Sequence, residues 1–446
     1  MTQARLRATV TRVTGLLLGA VLAASAAPAA ATPDEDLLWY YNLLGYEEIH
    51  SSGITGEGVT IAVIDSPINL EVPTLQGADI RVQESPCLDE NGARRPGTST
   101  DWALADHGTN VVSYIVGTGA GYEGQTGVKG VAPGATVLTY AVYLDDDDQG
   151  DCYTAGGDYF DDGGDATAQA MQAAMDAGAD IISVSMILGD LGISGPFNEA
   201  MIRAVREEVI VVGGLSNEGI VEPGSVGPDS APGPLTGAVS VLGVKSNGEL
   251  NSVLNHINGA IVGPNNSEYV VVCAPGWDIL WQGRDGDWLT QYNGRGTSIA
   301  TPIVSGTLAL AMQKYPDATG NQILQSMIHN TGTEPHEVEW DSTYGFGFVV
   351  PRTLLAADPT QYPAVNPLAA WFSPALRFPT FAEIFPDGNP ATQEPRETPS
   401  SSADPEPDEQ AGTNLGLIAL VGGIALLLLI LVIVFTVIAV NRKKSS

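Results

Sequence analysis

The sequence predicts a three-layer α/β fold with a mostly parallel central sheet, followed by one C-terminal transmembrane helix. Short apolar runs rich in β-branched residues alternate with helical patterns, the signature of a parallel sheet covered on both faces. Polar residues capable of chemistry follow directly after some of those runs, where such sheets gather their ligands. Near the end of the chain, Leu415 to Val440 contains no charged residue at all.

In chain order, residues 1–31 carry Arg5, Arg7 and Arg12, then the apolar run Leu17 to Ala24, then Ala29-Ala30-Ala31. That sequence of basic, apolar and small residues predicts a secretory signal peptide cleaved near Ala31. A lipid-facing helix is the alternative, but the apolar core is short and alanine-rich. The layered domain spans residues 56–358. Its predicted strands are Val59 to Ile64, Thr136 to Val142, Ile181 to Val184, Val209 to Val212, Val239 to Val244 and Tyr269 to Cys273. Helices are predicted over Thr109 to Ile115, Ala166 to Ala177 and Asn198 to Glu208, with Asp165 a candidate cap for the second. Another begins beside Ser298 and runs to Tyr315, with Pro302 expected in its first turn, where a missing donor costs little. Gln322 to His329 forms a further helix, and Tyr344 to Pro351 with Leu354 and Leu355 closes the domain.

Residues 359–388 hold Trp371, Phe372, Phe378, Phe381 and Phe385, which read equally as a strap back onto the domain or as a membrane-proximal contact. Residues 389–414, rich in Pro, Glu, Asp and Ser, cannot bury enough apolar area to fold and read as an extended stalk. As a helix, residues 415–440 would be about 39 Å long, enough to cross a hydrocarbon core of about 30 Å. Arg442, Lys443 and Lys444 in the tip 441–446 mark its cytoplasmic end, which leaves the domain outside the cytoplasm.

The formal charge of −33 argues against nucleic acid or an anionic lipid surface as a partner, since both require clustered Lys and Arg. Of the three cysteines, Cys273 lies in the apolar run Tyr269 to Cys273 and reads as a buried small hydrophobe. Cys87 and Cys152 lie among polar, loop-like residues and are expected to pair, although sequence alone does not fix the pairing. No cofactor is called for. The acidic run Asp145 to Asp148 with Asp151, and the cluster Asp158, Asp161, Asp162 and Asp165, could hold structural calcium, but neither has the spacing of a calcium loop, and solvated surface is the default.

The run Gly294 to Pro302 places Ser298 between small residues at a helix start, where free main-chain N–H groups face an anion. A serine hydroxyl needs a base, and an imidazole serves if a carboxylate holds its tautomer. Asp65, His107 and Ser298 supply those three roles, and the Asn217 amide with the Ser298 N–H can supply an oxyanion hole. Singly, each has an ordinary reading: a strand-end cap, a packed histidine, a turn asparagine. Together, and in this order, they do not. His50, His256, His329 and His336 lack a comparable setting and read as structural.

At these residues the chain resembles the subtilisin-like serine proteases. Val63-Ile64-Asp65-Ser66 matches the aspartate motif, His107-Gly108-Thr109 the histidine motif, Gly296 to Pro302 the serine motif and Asn217-Glu218-Gly219 the oxyanion asparagine. Val131 to Gly134 and Ala274 to Gly276 are further landmarks, and the likeness runs from Gly56 to Pro351. The resemblance implies a subtilisin-like three-layer fold, an acyl-enzyme mechanism and polypeptide substrates. It also implies substrate binding by Ser185, Met186, Gly214, Leu215 and Ser216, with an extended peptide pairing along the edge of Ile182 to Met186. Two positions depart from the pattern. Pro67 stands where glycine is usual and bears on the aim of Asp65, and Ser216 precedes Asn217 where glycine is usual.

Within the family, the signal peptide, single C-terminal membrane helix and basic tip look like the mycosins, membrane-anchored proteases of type VII secretion in actinobacteria. The segment 32–55 is too short for a folded propeptide, and its residues Asp36 to Ile49, with Leu37, Leu38, Trp39, Tyr40 and Tyr41, are expected to pack as an arm on the domain. The resemblance implies a membrane-anchored extracytoplasmic serine endopeptidase, with type VII membrane components as partners. The alternative is a protease-fold scaffold of that complex with little or no catalysis.

Overall fold

The computed structural model describes residues 37–143, 152–154, 164–186, 195–215, 217, 233, 235–250, 255–257, 260–262, 269–334, 336–341, 343–370, 379–386 and 388. The expected signal peptide, the expected stalk and Leu415 to Val440 lie outside the described residues, as do Ser216 and the acidic runs from Asp145 to Asp162. Among the described residues, no helix is long and apolar enough to cross a membrane, and no group of three or more His, Cys, Asp and Glu side chains could hold a metal ion.

Two short helices, α1 (Trp39–Leu44) and α2 (Tyr46–Ser51), precede β1 (Thr60–Asp65) and β2 (Ile80–Val82). Then come α3 (Trp102–Val116), β3 (Thr118–Ala120), β4 (Thr126–Lys129), β5 (Thr136–Ala141), α4 (Gly164–Asp176) and β6 (Ile181–Val184). They are followed by α5 (Pro196–Arg206), β7 (Ile210–Gly214), β8 (Val239–Val244), β9 (Asn255–Ile257), β10 (Ala260–Val262) and β11 (Val272–Pro275). The hairpin β12 (Trp277–Arg284) and β13 (Asp287–Arg295) leads into α6 (Thr297–Lys314). Helices α7 (Gly320–His329), α8 (Pro351–Ala356), α9 (Pro367–Ala370) and α10 (Phe381–Ile384) complete the order.

Seven strands form the central sheet in the order β11-β8-β7-β6-β1-β5-β2, and every pairing in it is parallel. Side chains alternate between two cores, as the period of two requires. In β1, Ile61 and Val63 face the core shared with α3 and α6, while Ala62 and Ile64 face the one shared with α4 and α5. That alternation sends Asp65 to the same side as Ile61 and Val63, toward α3 and α6. Every residue of α6 from Ile299 to Ala311 is buried, so this helix is apolar or small on all sides rather than amphipathic.

Several expectations are corrected by this structure. Helix α3 starts at Trp102, capped by the Asp101 side chain accepting from the Ala103 N–H, so His107 sits inside the helix rather than ahead of it. Pro302 lies in the second turn of α6, not the first, because the helix begins at Thr297. An i−4 bond from position 302 would have ended on the Ser298 carbonyl, and proline removes it, a defect that costs about 3 kcal/mol in a helix interior. Strand β6 is no edge. It pairs with β1 on one side and β7 on the other up to Val184, so of the stretch expected to bind a peptide only Ser185 and Met186 lie beyond the sheet pairing.

The arm is fastened at several points. Tyr46 shares a 2.6 Å hydrogen bond with Thr307 of α6, the Trp39 indole donates to the Trp277 carbonyl at 3.0 Å, and the His50 Nε2 lies 2.9 Å from the Val131 carbonyl. His329 and His336 are likewise engaged locally, with the Gln325 carbonyl and Thr331. At the far end, Arg206 of α5 donates to the Glu383 and Ile384 carbonyls, and Ile384 is wholly buried, so this part of the aromatic segment lies on the domain.

Cys87 and Cys152 form the expected disulfide, and Cys273 is a free, buried thiol. The bridge closes a loop of 65 residues. Replacing both cysteines with serine is expected to destabilise the protein by about 2–4 kcal/mol, chiefly by freeing the unfolded chain. Urea denaturation of the two oxidised proteins checks this, and coincident midpoints would contradict it.

Candidate active site

Asp65 is the last residue of β1 and is almost wholly buried. Its Oδ1 lies 2.7 Å from the His107 Nδ1 and also accepts the Ser66 N–H at 2.8 Å. Pro67 therefore does not turn the carboxylate away. The Ser66 hydroxyl accepts the Gly108 N–H at 2.9 Å, fixing the β1 exit against α3. Position 108 tolerates only glycine, since a Cβ there would stand 2.4 Å from the Ser66 carbonyl oxygen. Burial works hardest against a charged His107 imidazole. The charge and hydrogen bond of Asp65, with the nearby charge of Asp106, together outweigh it and raise the His107 pKa above its ordinary value.

Ser298 is the second residue of α6, and its hydroxyl donates to the Ser185 carbonyl at 3.0 Å rather than to the imidazole. Catalytic hydrogen bonds of this kind often form only when substrate is present. Gly296, at φ +142°, gives the turn that aims the start of the helix, and its N–H donates to the Gly276 carbonyl at 2.7 Å. The Asn217 amide is oriented by its neighbour, its Oδ1 accepting the Thr297 N–H at 2.8 Å. With the oxygen so held, the Nδ2 donors are left for another acceptor.

The remaining expected substrate-binding residues behave differently from one another. Ser185 and Met186 leave the sheet beside Ser298. Gly214 and Leu215 instead back the serine turn: a Cβ on Gly214 would meet the Thr297 and Thr301 hydroxyls at 3.1 Å, and the Leu215 carbonyl accepts from Thr297. Leu215 also donates its N–H to the Val241 carbonyl, so that donor is taken up within the domain.

Two features of the site escape sequence reasoning. The hairpin β12–β13 flanks it, and its signal was the Asp285-Gly286 dipeptide, which forms a two-residue turn with both φ positive, at 51° and 86°. Asp106 is the other. The Trp281 indole of that hairpin donates to its Oδ1 at 3.1 Å, and the Trp281 and His107 rings lie 5.9 Å apart. Burial first, then the Asp65 charge, push the Asp106 pKa up to about 6 against the opposing Trp281 bond and His107 charge. Nothing local in the sequence announces this, because Trp281 is far away in the chain.

The sequence profile of the subtilase family matches residues 56–347. The chain belongs to the subtilase family. As a subtilase it is a serine endopeptidase, similar to a thermostable alkaline protease of Halalkalibacterium halodurans, with 28% identity over 72% of this chain and 74% of that one. Subtilisin NAT of Bacillus subtilis subsp. natto is 30% identical over 64% of this chain and 63% of its own. Among solved structures, MycP1 from the ESX-1 type VII secretion system superimposes with a TM-score of 0.53 at 21% identity, covering 76% of this subtilase and 91% of MycP1. That last likeness is one of fold.

Proposed function

We propose that this subtilase is an extracytoplasmic, membrane-anchored endopeptidase of polypeptides in which Ser298 is the nucleophile, His107 its general base and Asp65 the group that orients the base. The observation that carries the reading is the 2.7 Å contact between Asp65 Oδ1 and His107 Nδ1, on a histidine whose pKa is raised in consequence. With the Nδ1 proton held by Asp65, Nε2 is the nitrogen left to accept the Ser298 proton. The Ser298 N–H and the Asn217 Nδ2 would receive the oxyanion of the tetrahedral intermediate, His107 would protonate the leaving amine, and water would then release the acyl-enzyme. The stretch Leu415 to Val440 with its basic tip supports anchoring, and the likeness of fold to MycP1 supports a place in type VII secretion.

A fluorophosphonate probe is expected to label the full chain in isolated membranes, and the labelled band should resist extraction at alkaline pH. Failure of a folded protein to label would remove the catalytic reading, and release by alkali would remove the anchor. One observation favours a second reading, a protease-fold scaffold with little turnover: the Ser298 hydroxyl is turned to the Ser185 carbonyl.

A further inference from the structure

The catalytic helix α3 and the hairpin that delivers Ser298 are joined by side chains on three successive turns of α3. Asp106 accepts from the Trp281 indole, Asn110 engages Gln282, and the Tyr114 hydroxyl donates to the Leu280 carbonyl at 2.5 Å. The middle connection is the most complete. Asn110 is wholly buried, its Oδ1 accepts the Gln282 N–H at 2.8 Å, and its Nδ2 donates to the Gln282 carbonyl at 2.8 Å. The second Nδ2 donor satisfies the Asp106 carbonyl, one turn back, at 2.9 Å. A single carboxamide thus closes the outer edge of β12 as a neighbouring strand would, while its other bond is fixed within α3.

The geometry points to Asn110 as a positioning residue: it sets the height and rotation of α3 against the hairpin, and through them the separation of His107 from Ser298. Gln282 belongs to β12, whose partner strand β13 runs without a break into Gly296, Thr297 and Ser298. His107 stands three residues before Asn110 on α3, and its ring rests beside Trp281. Alanine at 110 removes both links to Gln282 at once and leaves the buried Gln282 N–H and carbonyl without partners, while the Asp106 carbonyl keeps its main-chain bond within α3. The helix and hairpin can then shift relative to each other, and a displacement of about 1 Å between catalytic groups costs about a hundredfold in rate. This inference rests on the assignment of His107 as the base of Ser298.

The test uses the full chain and counts reactive sites by titration with a fluorophosphonate, so that unfolded molecules drop out of the comparison. Asn110→Ala is expected to lower kcat per titrated site by about 10–100-fold with KM changed less than about twofold, and to slow phosphonylation in parallel. A merely structural role would reduce the number of sites and leave the rate of each unchanged, which would overturn the inference. Should Asn110→Ala fail to fold, Asn110→Leu is decisive. It fills nearly the same space but has neither the acceptor nor the donors for Gln282, and is expected to lower kcat per site by about 3–30-fold; a rate equal to the unsubstituted protein overturns the inference. Absence of labelling in the unsubstituted protein would strike the assignment of His107 and Ser298 instead, and the inference with it.

Discussion

Ser298→Ala is expected to lower kcat for peptide hydrolysis by about 10⁶ and to abolish fluorophosphonate labelling, a magnitude carried over from subtilisin rather than derived from this site. Among the described residues the hydroxyl makes one hydrogen bond, to the Ser185 carbonyl, so its removal is expected to cost only about 1 kcal/mol of stability. The folded domain with its Asn217 and main-chain donors would persist, and a small residual acceleration over water would survive with it. The same variant separates the two functional readings. If the complex assembles and exports normally with alanine at 298, the protein serves it as a scaffold independently of cleavage. If assembly fails, cleavage is required for it and the scaffold reading is lost. Labelling that persisted in the alanine variant would place the nucleophile elsewhere.

Asp65→Asn is expected to lower kcat by about 10⁴ while leaving KM nearly unchanged. Asp65 Oδ1 receives both the His107 Nδ1 proton and the Ser66 N–H. In the asparagine variant the oxygen can keep the Ser66 bond, and the amide then donates toward Nδ1. The imidazole proton moves to Nε2, the nitrogen that should accept the serine proton, and general-base catalysis stops. The pH profile carries the sign. Catalysis needs neutral His107, whose pKa stands above the usual 6.5, so wild-type kcat/KM should fall as pH drops through that raised value. Removing the Asp65 charge takes away the largest influence that raises it, and the inflection in residual activity should move to lower pH. An unmoved inflection would mean that another group is being titrated. The stability linkage runs in the matching direction. The favourable pairing of protonated His107 with Asp65 is fully present below the unfolded imidazole pKa and is lost as pH rises through the folded one.

Much of this layout was legible because parallel strands buried on both faces are nearly continuous runs of Val and Ile. Thr60–Asp65, Thr136–Ala141, Ile181–Val184 and Val239–Val244 all fall within a residue of where those runs lie. The site residues were legible for a related reason, since Asp65 ends a run, and His107 and Ser298 are bracketed by small residues that nothing in a core would require. Sequence gave no comparable cue for the start of α3, because Ala103, Ala105 and Asp106 carry no apolar stripe, and the register of Pro302 depended on a boundary only two or three residues away. The roles of Asp106 and Asn110 were hidden for a deeper reason. Both are defined by Trp281 and Gln282, which are brought to them by a hairpin, and the physics of that contact has no local trace in the chain.

The all-round burial of α6 has a consequence in time as well as in space. A segment opens to solvent at a free energy set by what it must uncover, and α6 can uncover nothing without parting both α3 and the sheet from it. Ser298, half-buried in the first turn, is therefore carried on a helix expected to open late, which hydrogen exchange of the α6 amides would check. Warming or nicking that loosens only the surface loops is expected to leave α6 in place, with the proposed nucleophile at its start.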